Sequence, residues 1–589
     1  MATRSRRRWR PLLAATAAAT VGLAMASVPG ALAVHSGSAQ VRNQTMYTIA
    51  VRAADGDAVA LAQRLSARGF DLLEMRTGSV VYVLGTAATA ARLGGLSGVS
   101  VVGQKPAAPV GPIPNAPANQ DDILPHKLDG NKYDTFYGGY RTTKAYDQFE
   151  SDLQAAYPTL VKKIEVGKTW TGKRAINAVC VTEDANKGCK LTPKADKARF
   201  LVMGQIHARE VATSETTWRY LTRLIDGWKK DPQITSLLQS TEIWVVPQFN
   251  VDGIATTEKG LENDGTGSDS PAWQRKNLDD LQAPDGGCPP PWANSHAGVD
   301  LNRNFDSHWD TSGISHDACS EVFDGKKAAS EPETQELSAL FRSLFKDQRG
   351  NGDDAAAPKN TTGAMVTIHT VAGLVLFPWG TSATKHTPND EQLRSLGFRQ
   401  SYFNGYTTGQ PPEVLYATSG TTDDWADDDL GIASFTWELD GVGGDCEGTF
   451  FPLYSCMDAY EKNNLPGLYY DAAAARTPYK LGLGPTMLKA SAKGSGRSVT
   501  VSATAADDAY GTSGVGRPAA QKVTDARIYV GTAPWDGGKA QDMKIKGSGT
   551  SVTVTATVKK GANKVLAYVQ ARDADGNWGP ALAVWIPAA

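Results

Sequence analysis

The stretch Arg199-Phe-Leu-Val-Met-Gly-Gln-Ile-His207-Ala-Arg-Glu210 decides how this chain is read. Its apolar residues predict a short buried strand over 200–205, and a helical pattern starts near Val211. Between them stand a histidine and a glutamate three residues apart. Imidazole nitrogen and carboxylate oxygen are both good zinc ligands, and a turn at a strand end can point both into one cleft. A third donor is offered by His369, which follows the apolar run 364–368. His207, Glu210 and His369, with one position left open, make a catalytic rather than a structural zinc set.

Working outward, further strands are predicted over 175–181, 242–248 and 432–438, with helical patterns between them and an opening helix over 142–156. The alternation predicts an α/β domain, residues 131–476, with a mostly parallel or mixed sheet whose active groups cluster where strands end. Upstream, strands at 45–51, 70–75, 80–84 and 99–102 and helices at 57–67 and 87–96 predict a small βαββαβ unit within 34–104. Residues 105–130 carry five prolines by Pro117 and read as an exposed linker. A small unit and a linker ahead of the main domain suggest a removable prosegment. Downstream, 477–589 is rich in Ser, Thr, Val, Gly and Lys, with short strand patterns at 498–503, 526–529, 551–558 and 564–571. An all-β sandwich is the expectation there, and the region holds no histidine or cysteine to build a metal or thiol site.

Composition narrows the function classes. The 589 residues are 41% hydrophobic and 21% charged, enough for several buried cores, and the net charge of −2 provides no basic field for nucleic acid. Residues 1–33 place Arg4, Arg6, Arg7, Arg8 and Arg10 before an Ala/Leu/Val-rich stretch ending Ala31-Leu32-Ala33, which reads as a signal peptide removed on export. The general and twin-arginine export routes both fit. No later segment has the apolar length of a membrane span, so the secreted product is expected to be soluble; a monomer is also expected. Six cysteines, close in sequence as Cys180/Cys189, Cys288/Cys319 and Cys446/Cys456, predict three loop-closing disulfides in an exported protein.

The motif order then resembles one family, the zinc metallocarboxypeptidases of the pancreatic carboxypeptidase A/B type, with exported bacterial members as the nearest likeness. Besides His207, Glu210 and His369, the likeness rests on Asn250-Val-Asp-Gly253, Trp273-Gln-Arg275-Lys-Asn277 and Gly298-Val-Asp-Leu-Asn302-Arg303-Asn-Phe305. It continues through Leu415-Tyr416-Ala-Thr-Ser-Gly420 and Phe435-Thr-Trp-Glu438-Leu439. Val251 departs from the proline that is usual in the first of these motifs. The resemblance implies one Zn²⁺ per catalytic domain and Glu438 as the general base for zinc-activated water. It further implies that Arg275 polarises the scissile carbonyl and that Asn302 and Arg303 hold the substrate's terminal carboxylate, restricting the enzyme to free C-termini of peptides and proteins. Tyr416 would close over the bound residue, and Arg209 would contact substrate further upstream. Asp423, seven residues after Tyr416, falls at the bottom of the side-chain pocket and would favour terminal Lys or Arg, with hydrophobic ends also accepted in related enzymes. The competing reading of Asp423 is a solvated acidic run with Asp424, Asp427, Asp428 and Asp429.

An activating protease is the partner such a prosegment implies. Two other functions compete: an inactive binding homologue, which would lack ligands or base, and a peptidoglycan-peptide amidase or endopeptidase of similar fold, which need not keep Asn302 and Arg303. The remaining histidines, including His296, His308, His316 and His386, read as loop or surface residues, and Glu331 and Glu333 as a helix start.

Overall fold

The computed structural model describes residues 44–107, 139–263, 267–285, 287–288, 297–440, 443 and 446–589. Residues 1–33, read as a signal peptide, and most of the expected proline-rich linker lie outside the described residues. An N-terminal unit runs β1 (Tyr47–Ala53), α1 (Ala58–Ser66), β2 (Asp71–Thr77), β3 (Val80–Gly85), α2 (Ala87–Gly94) and β4 (Val99–Pro106). Asp57 caps α1 by accepting a hydrogen bond from Ala60 N, and the sheet order is β2-β3-β1-β4. Residues 105–107, assigned to the linker for their proline content, instead continue the sheet: Thr48 pairs with Lys105, Tyr47 with Pro106, and Ala107 N donates to Met46 O. Pro106 is tolerated there because β4 is an edge strand and the proline sits at its end.

The middle of the chain builds an eight-stranded sheet. Its elements are α3 (Thr143–Ala156), β5 (Val161–Lys168), β6 (Ala175–Val181), β7 (Ala198–Gly204), α4 (Val211–Gly227), α5 (Pro232–Ser240) and β8 (Thr241–Val246). They continue with α6 (Val251–Asn263), α7 (Pro332–Leu344), β9 (Ala364–Thr370), β10 (Leu374–Leu376), α8 (Asp390–Asn404) and β11 (Thr407–Gly409). The last are α9 (Pro411–Val414), α10 (Thr422–Leu430), β12 (Ala433–Leu439), α11 (Met457–Ala474) and α12 (Pro478–Leu481). The order β11-β10-β12-β9-β7-β8-β6-β5 is mixed, with β12, β9, β7 and β8 parallel at its centre. Those central strands are buried on both faces, which is why they read as continuous apolar runs.

The C-terminal strands β13 (Thr486–Lys493), β14 (Ser498–Ala506), β15 (Val523–Val530), β16 (Ala540–Asp542), β17 (Lys544–Lys546), β18 (Ser551–Lys559), β19 (Val565–Asp573) and β20 (Leu582–Ile586) form two antiparallel sheets, β13-β14-β18-β17 and β16-β15-β19-β20. Alternate residues Val499, Val501, Ile528, Val554, Val569 and Ile586 share one apolar core between the sheets, as period-two patterning dictates. Disulfides join Cys180–Cys189, Cys288–Cys319 and Cys446–Cys456, the three expected pairs.

Candidate active site and metal centre

Three neighbouring parallel strands deliver the reacting groups at one edge. β7 and β12 flank β9, with Gly204 opposite Ile368 and Glu438 opposite His369, so the turn after β7 and the ends of β9 and β12 meet. Gly204, at the end of β7, packs tightly there, since a Cβ would stand 3.1 Å from the carbonyl oxygens of Pro247 and Thr213. The turn itself is tied down by Gln205, whose side chain donates to Ala208 O at 2.8 Å, and by Ala208 N, which donates to Arg275 O at 3.0 Å. Asn250 explains its own motif: its amide donates to Ile206 O and Arg275 O and its oxygen accepts from Gly253 N, stitching this turn to the start of α6. Val251 fills the place of the usual proline without disturbing those bonds.

His207, Glu210 and His369 are buried together, their donor atoms within 4.8 Å of one another. His207 Nδ1 lies 2.7 Å from Glu210 Oε1 and 3.2 Å from His369 Nδ1, and His369 Nδ1 lies 3.4 Å from Glu210 Oε2. Two imidazole nitrogens facing each other beside a carboxylate are the chemistry of a zinc site, and the residues fit one such ion. The opposite ring nitrogens are also engaged: Asp300 Oδ1 lies 3.2 Å from His207 Nε2 and Thr367 Oγ1 lies 3.2 Å from His369 Nε2. Such outer contacts set ring orientation and ligand basicity. Thr370 N donates to Glu210 Oε2 at 3.2 Å, holding the carboxylate toward the histidines.

Arg275 sits beside this cluster. Its Nε and Nη2 donate to Asp300 Oδ2 at 3.2 and 3.1 Å, and Nη1 lies 3.9 Å from Glu210 Oε1. Burial works against its charge, but Asp300, Glu74 and Glu210 outweigh it and keep the guanidinium cationic. Asp300 carries no mark of its role in the sequence; the fold brings it to both His207 and Arg275. Asn302 Oδ1 accepts from Thr422 N and Oγ1 at 3.0 and 2.9 Å, while Arg303 donates to Gly313 O and Asn302 O. Gly420, at φ +65°, lets the Tyr416 segment approach Arg303, because a Cβ there would lie 2.3 Å from Arg303 O.

Arg275, Asn302, Arg303, Tyr416, Asp423 and Glu438 line one cavity of about 30 Å³ with His207 and His369. Asp423, Asp424 and Asp427 are buried, which overturns the solvated-face reading for those three; Asp428 and Asp429 are half-buried, on the outward side of α10. Burial pushes the Asp423 and Asp424 carboxyls up, and Asp423 adds to the effect on Asp424. Burial, followed by the neighbouring Glu74 and Glu210 charges, likewise holds Glu438 well above the usual carboxylate range, and Glu438 Oε2 has no hydrogen-bond partner among the described residues. Glu331 and Glu333 do open α7, but they are buried, accepting from Asn277 Nδ2 and, for Glu333, from Trp170 N.

The N-terminal unit reaches into the same cavity. Pairing between β2 and β3 passes from Leu73–Tyr82 to Arg76–Val81, so Glu74 and Met75 have no partner across the ladder and the strand bends there. The bend carries Glu74 to the cavity, where Tyr416 Oη donates to its Oε1 at 3.3 Å and Arg275 Nη1 lies 3.6 Å away. Arg209, expected to meet substrate, is fully buried and donates to both oxygens of Asp71 at 2.8 Å, with its guanidinium over the Phe450 ring. Neither Asp71 nor Glu74 stood out in the sequence, because an acidic residue in a short strand carries no mark of what it will face.

Comparisons with known proteins agree with this geometry. The family described as "Zinc carboxypeptidase", of the M14 peptidases, matches residues 146–467, more than half of the chain. A zinc carboxypeptidase of Simulium vittatum is 28% identical over 315 residues, 52% of this chain and 88% of the relative. Carboxypeptidase O of Bos taurus is 27% identical over 355 residues, covering 55% and 80%. The crystal structure of a carboxypeptidase A from Helicoverpa armigera shares the fold, with a TM-score of 0.55 at 21% identity over 74% of this chain and 98% of that one. These relatives are animal proteins and lend no support to the expected nearness to bacterial members. With a buried His207, Glu210 and His369 centre at the strand ends and a family match that spans it, the chain belongs to the zinc carboxypeptidase family and is a zinc-dependent metallocarboxypeptidase.

Proposed function

We propose that this enzyme removes single residues from free C-termini of peptides, preferring Lys or Arg, and that its N-terminal unit keeps it inactive until proteolysis. The observation that carries the proposal is the convergence of Asn302, Arg303, Tyr416, Asp423 and Glu438 on one cavity beside the metal centre. A zinc ion bound by His207, Glu210 and His369 supplies the Lewis acidity that makes water nucleophilic near neutrality. Glu438 takes the proton of the attacking water and returns it to the leaving amine. Arg275, braced by Asp300, stabilises negative charge developing on the scissile carbonyl oxygen. Arg303 and Asn302 bind the terminal carboxylate, which is what confines cleavage to chain ends. Asp423 at the pocket floor is a buried carboxylate that a terminal Lys or Arg would pair, favouring basic residues.

The inactive state follows from occupancy. Glu74 shares the cavity wall with Arg275 and Tyr416, accepting from Tyr416 Oη at 3.3 Å with Arg275 Nη1 3.6 Å away. Removing residues up to the proline-rich segment would free Arg209, Arg275 and Tyr416 for substrate. Export through the N-terminal segment completes the proposal; no helix among the described residues is long and apolar enough to cross a membrane.

The test uses a peptide with a free C-terminus and its amidated twin, each with and without a zinc chelator, on unprocessed and processed protein. Stepwise loss of terminal residues from the free peptide alone, only after processing and only with zinc, is the expected result. Equal internal cleavage of both peptides would remove Arg303 from the assigned role. Full activity of the unprocessed chain would remove Glu74 and Asp71 from theirs.

A further inference from the structure

Between Arg303 and α7 the chain forms a long loop, and in it three side chains come together away from the catalytic donors. Asp310 Oδ1 lies 3.2 Å from His316 Nε2, Asp324 Oδ1 lies 3.7 Å from His316 Nδ1, and one donor atom from each of the three falls within 4.8 Å of the others. His316 and Asp310 face solvent, whereas Asp324 is fully buried. Neither carboxylate oxygen of Asp324 has a hydrogen-bond partner among the described residues. The nearby donors are spent elsewhere: Trp309 Nε1 and Asn304 Nδ2 both donate to the Asp324 backbone carbonyl.

A buried carboxylate without a donor is rare in folded proteins, and its retention calls for a positive charge aimed at it. An ion takes one nitrogen of an imidazole, so it would bind His316 through Nδ1, in the 3.7 Å gap to Asp324 Oδ1 that is too long for a hydrogen bond, and exposed Asp310, which lies against Nε2, would turn its carboxylate to it. Two carboxylates and one neutral imidazole balance a divalent charge. Oxygen and imidazole donors together suit a borderline ion, with the nitrogen disfavouring calcium. We propose that Asp310, His316 and Asp324 form a second divalent-cation site that takes zinc.

Such an ion would brace the substrate clamp. Arg303 Nε donates to Gly313 O, and Thr311 N and Ser312 N donate to Ser419 Oγ in the tyrosine segment, so the loop carrying the site joins Arg303 to the segment bearing Tyr416. Pinning Asp310 and His316 to buried Asp324 fixes both ends of the stretch that makes these bonds.

The test counts metal. Full-length protein is stripped with chelator, reloaded with Zn²⁺, dialysed and measured for zinc per chain by mass spectrometry, alongside His316→Ala, Asp310→Asn and the catalytic-site variant His207→Ala. His316 and Asp310 are exposed, so the first two variants are expected to fold. Two zinc ions in the parent, one in His316→Ala, one in His207→Ala and none in the double variant are expected. Zinc should also raise the Tm of His207→Ala, and adding His316→Ala should abolish that rise. One zinc in the parent, or an unchanged count and Tm response when His316 is removed, would overturn the site and leave a histidine ion pair only. Stabilisation of His207→Ala by calcium but not by zinc would overturn the assigned ion.

Discussion

The strand ends of the central sheet and the interior of the C-terminal sandwich are equally buried and built from opposite residues. Between the sandwich sheets lie the apolar side chains of Val499, Val501, Ile528, Val554, Val569 and Ile586. At the ends of β7, β9 and β12 the buried residues are His207, Arg209, Glu210, Arg275, Asp300 and Glu438. Apolar burial stabilises by about 25 cal/mol per Å², while a buried charge without partners costs several kcal/mol. The sandwich core is therefore of the kind that stability selects. The strand ends hold charges that stability would not select: Arg209 is paired with Asp71 and Arg275 with Asp300, while Glu438 Oε2 has no hydrogen-bond partner among the described residues.

The contrast can be attacked from its strongest side first. Glu438→Gln should lower kcat by about 10²–10⁴-fold while leaving Tm and zinc content near those of the parent; a fold-destroying effect would show that the carboxylate is structural. Arg303→Ala should reduce kcat/KM on free peptides by about 10²–10³-fold and erase the preference over amidated ones, through loss of charge-assisted hydrogen bonds. Steady-state kinetics on the paired peptides checks both. Asp423→Ala should shift the Arg-over-Leu ratio by about 10²-fold, read from matched peptides, as expected for removing one partner of a buried pair; an unchanged ratio would take Asp423 out of the pocket. Smallest of all, Ile528→Val in the sandwich should destabilise by about 1 kcal/mol in denaturant melts and leave peptide hydrolysis untouched.

Much of this architecture is legible locally. Apolar runs at 200–205, 364–368 and 432–438 are strands because β-branched and aromatic residues in short blocks, bounded by turn residues, have few alternatives. Alternation in the C-terminal region predicts its sandwich for the same reason. Metal ligands are legible because His, Glu and His stand at the ends of such runs. Less visible were Asp300, Asp71 and Glu74. An aspartate two residues before Asn302 gives no sign that it will meet both a histidine ligand and Arg275, and an acidic pair in β2 looks like any solvated strand face. Even the acidic run at 423–429 had two readings until α10 turned Asp423, Asp424 and Asp427 inward and left Asp428 and Asp429 toward the outside.

By itself, then, the order of residues determined the central strands β6, β7, β8, β9 and β12 and the three disulfide pairs, and its ordered motifs carried the resemblance that named the zinc donors and the family. The strands depend on periodicity and the disulfides on loop closure, both of which act over short stretches, whereas the resemblance needs motifs in order from His207 to Glu438. Only the tertiary structure decided that Arg209 answers to Asp71, that Glu74 enters the cavity at a bend in β2, and that Asp324 is buried beside His316 with no donor. Each of those pairs residues far apart in the chain, and their meeting is set by sheet order and loop packing, which no local pattern encodes.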